Sequence, residues 1–377
     1  MEDRKKKRIL IQAVSTILIF LLFIAGIWFY GRSVVRTPLQ SQDHMTFEKA
    51  RVLEIIGGKK ENEVSGMAGN QDVKVEILSG RYTGRVVNAS NMNGYLYGAN
   101  CQVGTHVIVQ LSAYEDDLMA SVYGYDREMQ LYLLTGLFIL VLCLIGGRRG
   151  VYSALALVFT FFCLIGMYLP MLYQGWNPFF ATILVVSVVT VASLLLIGGY
   201  TKKTLCALLG TMAGVAISGC VAMFFGKISH ISGYNTEDIE SMVYVAQNSR
   251  LQVGELLYAG ILIASLGAVM DVAMSVSSTI QEIADQNPSL SRTALFKSGI
   301  NVGRDMMGTM SNTLILAFAG SSLNTMILIY AYQYPYNQLI NMYSIGIEIL
   351  RGISGTIGII LAVPFVSLVA SFILHKK

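Results

Sequence analysis

Apolar runs of roughly twenty residues recur along this chain, and that length alone limits what it can fold into. They lie near 9–30, 130–147, 151–171, 178–198, 204–225, 253–276, 306–331 and 347–374. A helix rising ~1.5 Å per residue needs about that many to cross a ~30 Å hydrocarbon core. Lipid offers backbone N–H and C=O groups no partner, so a spanning run closes its own bonds as a helix. Composition agrees: 54% of residues are hydrophobic and 13% charged, against ~25% charged in a soluble domain. The expectation is an α-helical polytopic membrane protein of about eight spans.

Basic residues suggest the orientation. MEDRKKKR leads the chain, Arg148-Arg149 and Lys202-Lys203 sit in short connections, Arg292 and Lys297 in another, and His375-Lys376-Lys377 follow the last run. Lys and Arg in short loops stay cytoplasmic. With about eight spans these segments share one side, placing both termini on the cytoplasmic side of the cell membrane. The first run, ILIQAVSTILIFLLFIAGIWFYG, is longer than the apolar part of a signal peptide and lacks a small-x-small cleavage site, so it reads as an anchor. Residues 1–30 then form a basic tail and first helix, 31–128 an external domain, and 129–377 a seven-helix core with a cytoplasmic helical link near 279–303.

The 31–128 region has a different texture. ARVLEI (50–55), DVKVEIL (72–78), GRVVNAS (84–90) and HVIVQLS (106–112) alternate apolar and polar residues, and Gly or Asn separates them. That period of two describes half-buried strands, about five of them in a small barrel-like β domain of the oligonucleotide/oligosaccharide-binding type. No aromatic platform with a basic groove accompanies it, so nucleic acid is not an expected partner. The GYLYG stretch with Tyr95 and Tyr97 either faces a partner or fills a barrel core or turn; burial is the commoner fate of aromatics. A second external segment, 227–250, has a helix start at Asn235-Thr236, followed by Glu237, Asp238 and Glu240.

Two charged residues stand in or beside the apolar runs. Asp271 lies inside GELLYAGILIASLGAVMDVAMSVSS, and Arg304 opens GRDMMGTMSNTLILAFAG. A charge at a helix centre costs roughly 2.5–3.5 kcal/mol on insertion scales, so it normally faces a protein interior, a water cavity or a partner charge. Asp271, Ser275, Ser278 and Glu282 fall on one helical face; Arg304, Gly308, Ser311 and Ala319 form a stripe on the next helix, with Asp305, Thr309 and Asn312 beside it. The two faces are expected to meet, with Arg304 as Asp271's partner. The competing reading makes Arg304 a headgroup anchor. Glu348 and Arg351 are close enough in sequence to pair. Small residues at packing intervals (Gly210, Gly214, Ser218; Gly260, Ala264; Gly352, Thr356) read as close helix contacts.

Other chemistry is not written here. There is no phosphate loop, no His-Glu-x-x-His and no Cys-x-x-Cys, and the four histidines are scattered, so neither enzyme, metal nor cofactor is expected. Cys101 stands apart from Cys143, Cys163, Cys206 and Cys220, and all five read as packing residues. The expected partners are the lipid bilayer and a protein or small molecule at the external domain. Oligomeric state is not legible.

SLGAVMDVAMSVSSTIQEI, KSGINVGRDMMGTMSNTLILAFAGSSL and GISGTIGIILAVPFVSLVASFIL together resemble the YibE/F-like family of bacterial multi-pass membrane proteins, common in Gram-positive bacteria. The resemblance implies one helix, an external domain and a multi-helix core, with no assigned activity. More weakly, Asn301-x-x-Arg304 and Gly352-x-x-Gly355-Thr356 resemble SecD/SecF and the resistance–nodulation–division permeases, which implies proton-coupled movement through intramembrane carboxylates. The resulting expectation is a membrane transport or transport-coupled protein. The rival is an assembly or scaffold factor whose external domain binds a partner.

Overall fold

A computed structural model describes residues 23–34, 45–58, 69–94, 97–114 and 117–375. Most of the first apolar run, Tyr95 and the terminal lysines lie outside the described residues. The chain divides into two compact units, Pro38–Leu144 and Met1–Thr37 with Ile145–Lys377.

The smaller unit contains a closed barrel of β1 (Met45–Gly58), β2 (Gly69–Ile77), β3 (Val86–Asn93), β4 (His106–Tyr114) and β5 (Asp117–Tyr125) in the order β1-β2-β3-β5-β4. β1 pairs antiparallel with both β2 and β4, which closes the sheet; β3 and β5 run parallel. Bulges between Val52 and Glu54 and between Ile55 and Gly57 bend β1 through this double duty. Alternation delivers Ala50, Val52, Val73, Val75, Val107, Val109 and Val122 to one dry core. Asn91 is buried there and satisfied: its amide donates to Ala99 O (2.6 Å) and its oxygen accepts from Ala99 N (3.2 Å), tying the β3–β4 loop beneath the barrel. Cys101 belongs to the same core, and burial pushes its thiol up to about 11, an inert packing residue.

The barrel was legible, but β5 was not. In DLMASVYGY the inward positions include Ala120 and Val122, while the outward neighbours Met119 and Tyr123 are as apolar, which leaves too weak an alternation to stand out. Of the readings open to it, Tyr97 takes the turn and not the core. It is 62% exposed, because Gly98 turns the chain at φ 87° and its N–H donates to Tyr123 O (3.0 Å), which leaves Tyr97 outside the core.

Residues 23–33 form helix α1. α2 (Glu128–Cys163) continues through a π-helical turn (Leu164–Tyr168) into α3 (Leu169–Tyr173). The second and third apolar runs therefore form one helical stretch, interrupted where Gly147 adopts φ 53°, ψ −134°. α4 (Pro178–Gly198) starts under Asn177, whose side chain accepts from Phe179 N and Phe180 N, and α5 (Lys202–Ile228) starts under Thr201. In the segment after α5 the helix begins later than expected. Ser232 and Asn235 cap a 3₁₀ turn, and α6 (Ile239–Gln247) follows.

α7 (Leu256–Gln286) and α8 (Arg292–Ser321) are joined by only 287–291, so the expected link near 279–303 is mostly the ends of the two helices. Ser291 caps α8 by accepting from Ala294 N. Arg304 is consequently well inside α8, not at its start. α8 bends 65° into α9 (Leu323–Tyr332), and α10 (Tyr336–Ile340) precedes α11 (Tyr343–Ile373). Among the described residues five helical stretches are long and apolar enough to cross a membrane, or six if the bent pair is one span.

α5, α7 and α11 form the centre of the larger unit, with α4 and α8 against them. Gly214 and Gly358 make the α5–α11 seam close. A Cβ on either would stand 2.9 or 2.7 Å from the other's carbonyl oxygen, so only hydrogen fits. Gly210 likewise seats Val366. The small-residue series on α5 does what its spacing promised. The Gly260–Ala264 pair does not: Gly260 faces open space.

Candidate functional site

α7 presents two chemically different faces. Leu262, Ser265, Leu266, Val269, Val272, Ala273, Val276 and Ile280 are buried against neighbouring helices. At 3.6 residues per turn, Gly260, Ala264, Gly267, Asp271, Ser275, Ser278 and Glu282 share the opposite side. Asp271 is exposed there, Ser275 and Ser278 are half-buried, and a Cβ on Gly267 would meet nothing within 4 Å. Besides α5 and α11, two further helices approach elsewhere on α7. α4 comes close beside Met274, which fills the space over Gly198, and α8 comes close beside Ile280, which fills the space over Gly299.

Asp271 stands at the midpoint of α7, fifteen residues from Leu256 and fifteen from Gln286. The apolar run ends near 276, five residues further on, ~8 Å along the axis, so Asp271 lies in the half of the span nearer Gln286. It has no ion-pair partner among the described residues.

α8 repeats the division. Leu295, Gly299, Gly303 and Leu314 are buried, Gly303 against Val363 of α11. Arg304, Asp305, Thr309 and Asn312 are exposed, and a Cβ on Gly308 would meet nothing within 4 Å. Thr309 spends its hydroxyl locally, donating to Met306 O at 3.0 Å. Helix α8 carries Arg304 twelve residues past Arg292, ~18 Å along the axis. The expected partnership with Asp271 is not made: the two form no ion pair, and from the Ile280–Gly299 contact Asp271 is nine residues and Arg304 five residues away. Asp305 follows Arg304 by ~100° around the axis and begins the exposed Asp305–Thr309–Asn312 stripe.

Other polar features emerge only in three dimensions. Thr211 and Ser218 on α5 and Ser367 on α11 are fully buried, with hydroxyls that find no hydrogen-bond partner among the described residues. Helical Ser and Thr normally donate to the i−4 carbonyl; Thr182, Thr190 and Thr356 do so. The sequence signal for Ser218 was one of packing alone. Glu348 and Arg351 do pair, at 3.0 Å. A cleft of about 660 Å³ is lined by Tyr173, Gln174, Trp176, Asn248 and Arg250 among others, and includes none of the residues singled out in sequence.

An apolar multi-helix core with a polar face on one of its central helices defines a membrane-embedded protein. Residues 134–376 match the YibE/F-like protein family, and the chain belongs to it. The match takes in most of α2 and all of α3 to α11, and so both polar faces; it does not extend to the SecD/SecF likeness. No curated protein and no solved structure matches the chain.

Proposed function

We propose that this chain is a transport or transport-coupled protein of the cell membrane, driven by protons, with Asp271 as the group that binds and releases them. One observation carries the reading: a carboxylate within the apolar part of a membrane helix, on its open face among small and hydroxylated residues, with no cation paired to it among the described residues. Retaining a charge at that depth is costly unless it faces water or changes protonation, and intramembrane carboxylates are characteristic of proton relays. Ser275 and Ser278 on α7 would supply a polar lining, and Asp305, Thr309 and Asn312 on α8 a second. The weaker SecD/SecF and resistance–nodulation–division likeness supports the same coupling.

Eight crossings follow if the first apolar run spans, if α2 crosses on either side of Gly147, and if α8 with α9 is one span. The basic connections then share the cytoplasmic side with both termini, and the barrel is external.

Proton flux in proteoliposomes tests the function. Wild type should acidify the lumen under an imposed gradient, and Asp271→Asn should lose that flux while retaining its expression and melting temperature. Equal flux from the two would reject Asp271 as the coupling group. A second reading, an assembly factor whose barrel and outer helix faces bind a partner, is favoured by the open face of α8; absence of any flux from wild type would move the balance to it.

A further inference from the structure

The barrel carries an aromatic cluster on its outer wall. Phe47 of β1 and Tyr123 of β5 meet edge to face, ring centroids 5.2 Å apart, and Tyr97 lies 6.0 Å from Tyr123. Phe47 is 48% and Tyr123 49% exposed. Beside them a cleft of about 420 Å³ runs past Ile108 and Tyr125 to Arg127. The Arg127 guanidinium sits 5.5 Å over the Tyr125 ring, and it has no ion pair among the described residues.

This patch adjoins the start of a membrane helix. α2 begins at Glu128, directly after Arg127, and it is pinned to the barrel: Lys49 of β1 pairs with Asp126 at 3.6 Å and with Glu128. From Glu128 to Gly146, just before the break at Gly147, there are nineteen residues (146 − 128 + 1). Those nineteen give ~28 Å of helix, against a hydrocarbon core of ~30 Å. Residues 128–141 are exposed throughout, as a helix surrounded by lipid would be. Nothing in that length is left over for a spacer. Glu128 then lies at headgroup level with Arg127 and Tyr125 beside it; Tyr123 stands two residues back along β5, and Phe47, in register with Ser121 through Gln110, two further.

We infer that this aromatic wall is a seat for the lipid headgroup layer. Tyr and Phe bring rings that suit the boundary, and Tyr adds a hydroxyl for the wet side. Arg127 faces the phosphates, where its planar donors are well matched. Aromatic rings with a guanidinium would also suit a glycan, but only the lipid reading uses the position of the patch at the mouth of the span. The seat rests on the reading that the first half of α2 crosses the bilayer.

The test uses the full chain in nanodiscs whose lipids carry bromine either high on the acyl chain or near its end. Single tryptophans are introduced as Tyr123→Trp, Met119→Trp and Leu137→Trp, and emission is read against the two native tryptophans, Trp28 and Trp176. Met119 is the far control, exposed and six residues back along β5 from Tyr125, ~20 Å of strand. The added emission of Tyr123→Trp should fall with high bromine, as for an interfacial ring. Met119→Trp should be unaffected, and Leu137→Trp should respond to the deep bromine. An unquenched Tyr123→Trp beside a quenched Leu137→Trp overturns the seat alone. A Tyr123→Trp signal that moves only on adding a soluble neutral oligosaccharide replaces it with a glycan cleft. If Leu137→Trp also escapes quenching, the crossing fails and takes the seat with it.

Discussion

The α5–α11 seam and the outer faces of α7 and α8 are built from the same few residue types, with opposite results. In the seam, Gly214 and Gly358 bring two helices so close that carbonyl oxygens occupy the space a methyl group would need, and Val366 fills that space at Gly210. On the outer faces, Gly260, Gly267 and Gly308 border open space, and charged or hydroxylated residues stand between them. A small residue permits approach but does not cause it. In lipid, packing holds helices together, so the same spacing becomes a contact only where the facing helix has a complementary surface. α11 has one for α5, in Gly358, Ala362 and Val366. No described helix supplies one for the centre of α7's open face.

The largest effect expected from this contrast is a reversal of sign for one substitution. Gly214→Ala would place a methyl 2.7 Å from Val269 Cγ1 and 2.9 Å from Gly358 O, overpacking that should cost roughly 2–3 kcal/mol. Gly308→Ala should be neutral or stabilising by up to ~1 kcal/mol, since it adds helix propensity and touches nothing. Thermal melting in detergent compares them. Equal losses would show that the α8 face is covered in the folded protein.

Paired and unpaired charges supply the next effect. Arg351→Ala should lower stability by about 1 kcal/mol, because it leaves half-buried Glu348 unpaired, with an Oε2 that already lacks a hydrogen-bond partner. Neutralising Glu348 and Arg351 together should recover part of that. The same double-mutant cycle on Asp271 and Arg304 should give a coupling below ~0.5 kcal/mol, as for groups not in contact. A larger coupling would mean that the open faces close on one another in another state of the protein.

The smallest effect belongs to the barrel. Its Lys49 ammonium is held above the ordinary 10.5, first by its hydrogen bond to Glu128 and further by the charge of Asp126. A raised folded value means the contribution is fully present below 10.5 and is lost as pH rises through the folded value. Lys49→Met should therefore lose a slight stability difference from wild type above that range, and keep it below. A difference that persists unchanged into strong alkali would remove the ion pair as its source.

Some of this was fixed by local rules that any one segment obeys. Runs such as 178–198 can only be helices in lipid, and residue alternation in β1, β2 and β4 placed Val52, Val75 and Val109 inside a barrel before their partners were known. The Glu348–Arg351 pair needed only one helical turn. The family was legible because it lies in contiguous blocks that fold considerations do not disturb.

What only the tertiary structure decided depends on neighbours. Period-2 alternation cannot show that β1 pairs with both β2 and β4, or that Tyr97 is turned outward by the backbone at Gly98. Helical spacing put Asp271 and Arg304 on defined stripes, but which stripe faces which helix depends on packing at Gly299, Gly303 and Val363. Rotation of a helix about its own axis leaves no trace in its sequence when small and polar residues line more than one face. Contact with the rest of the molecule sets it.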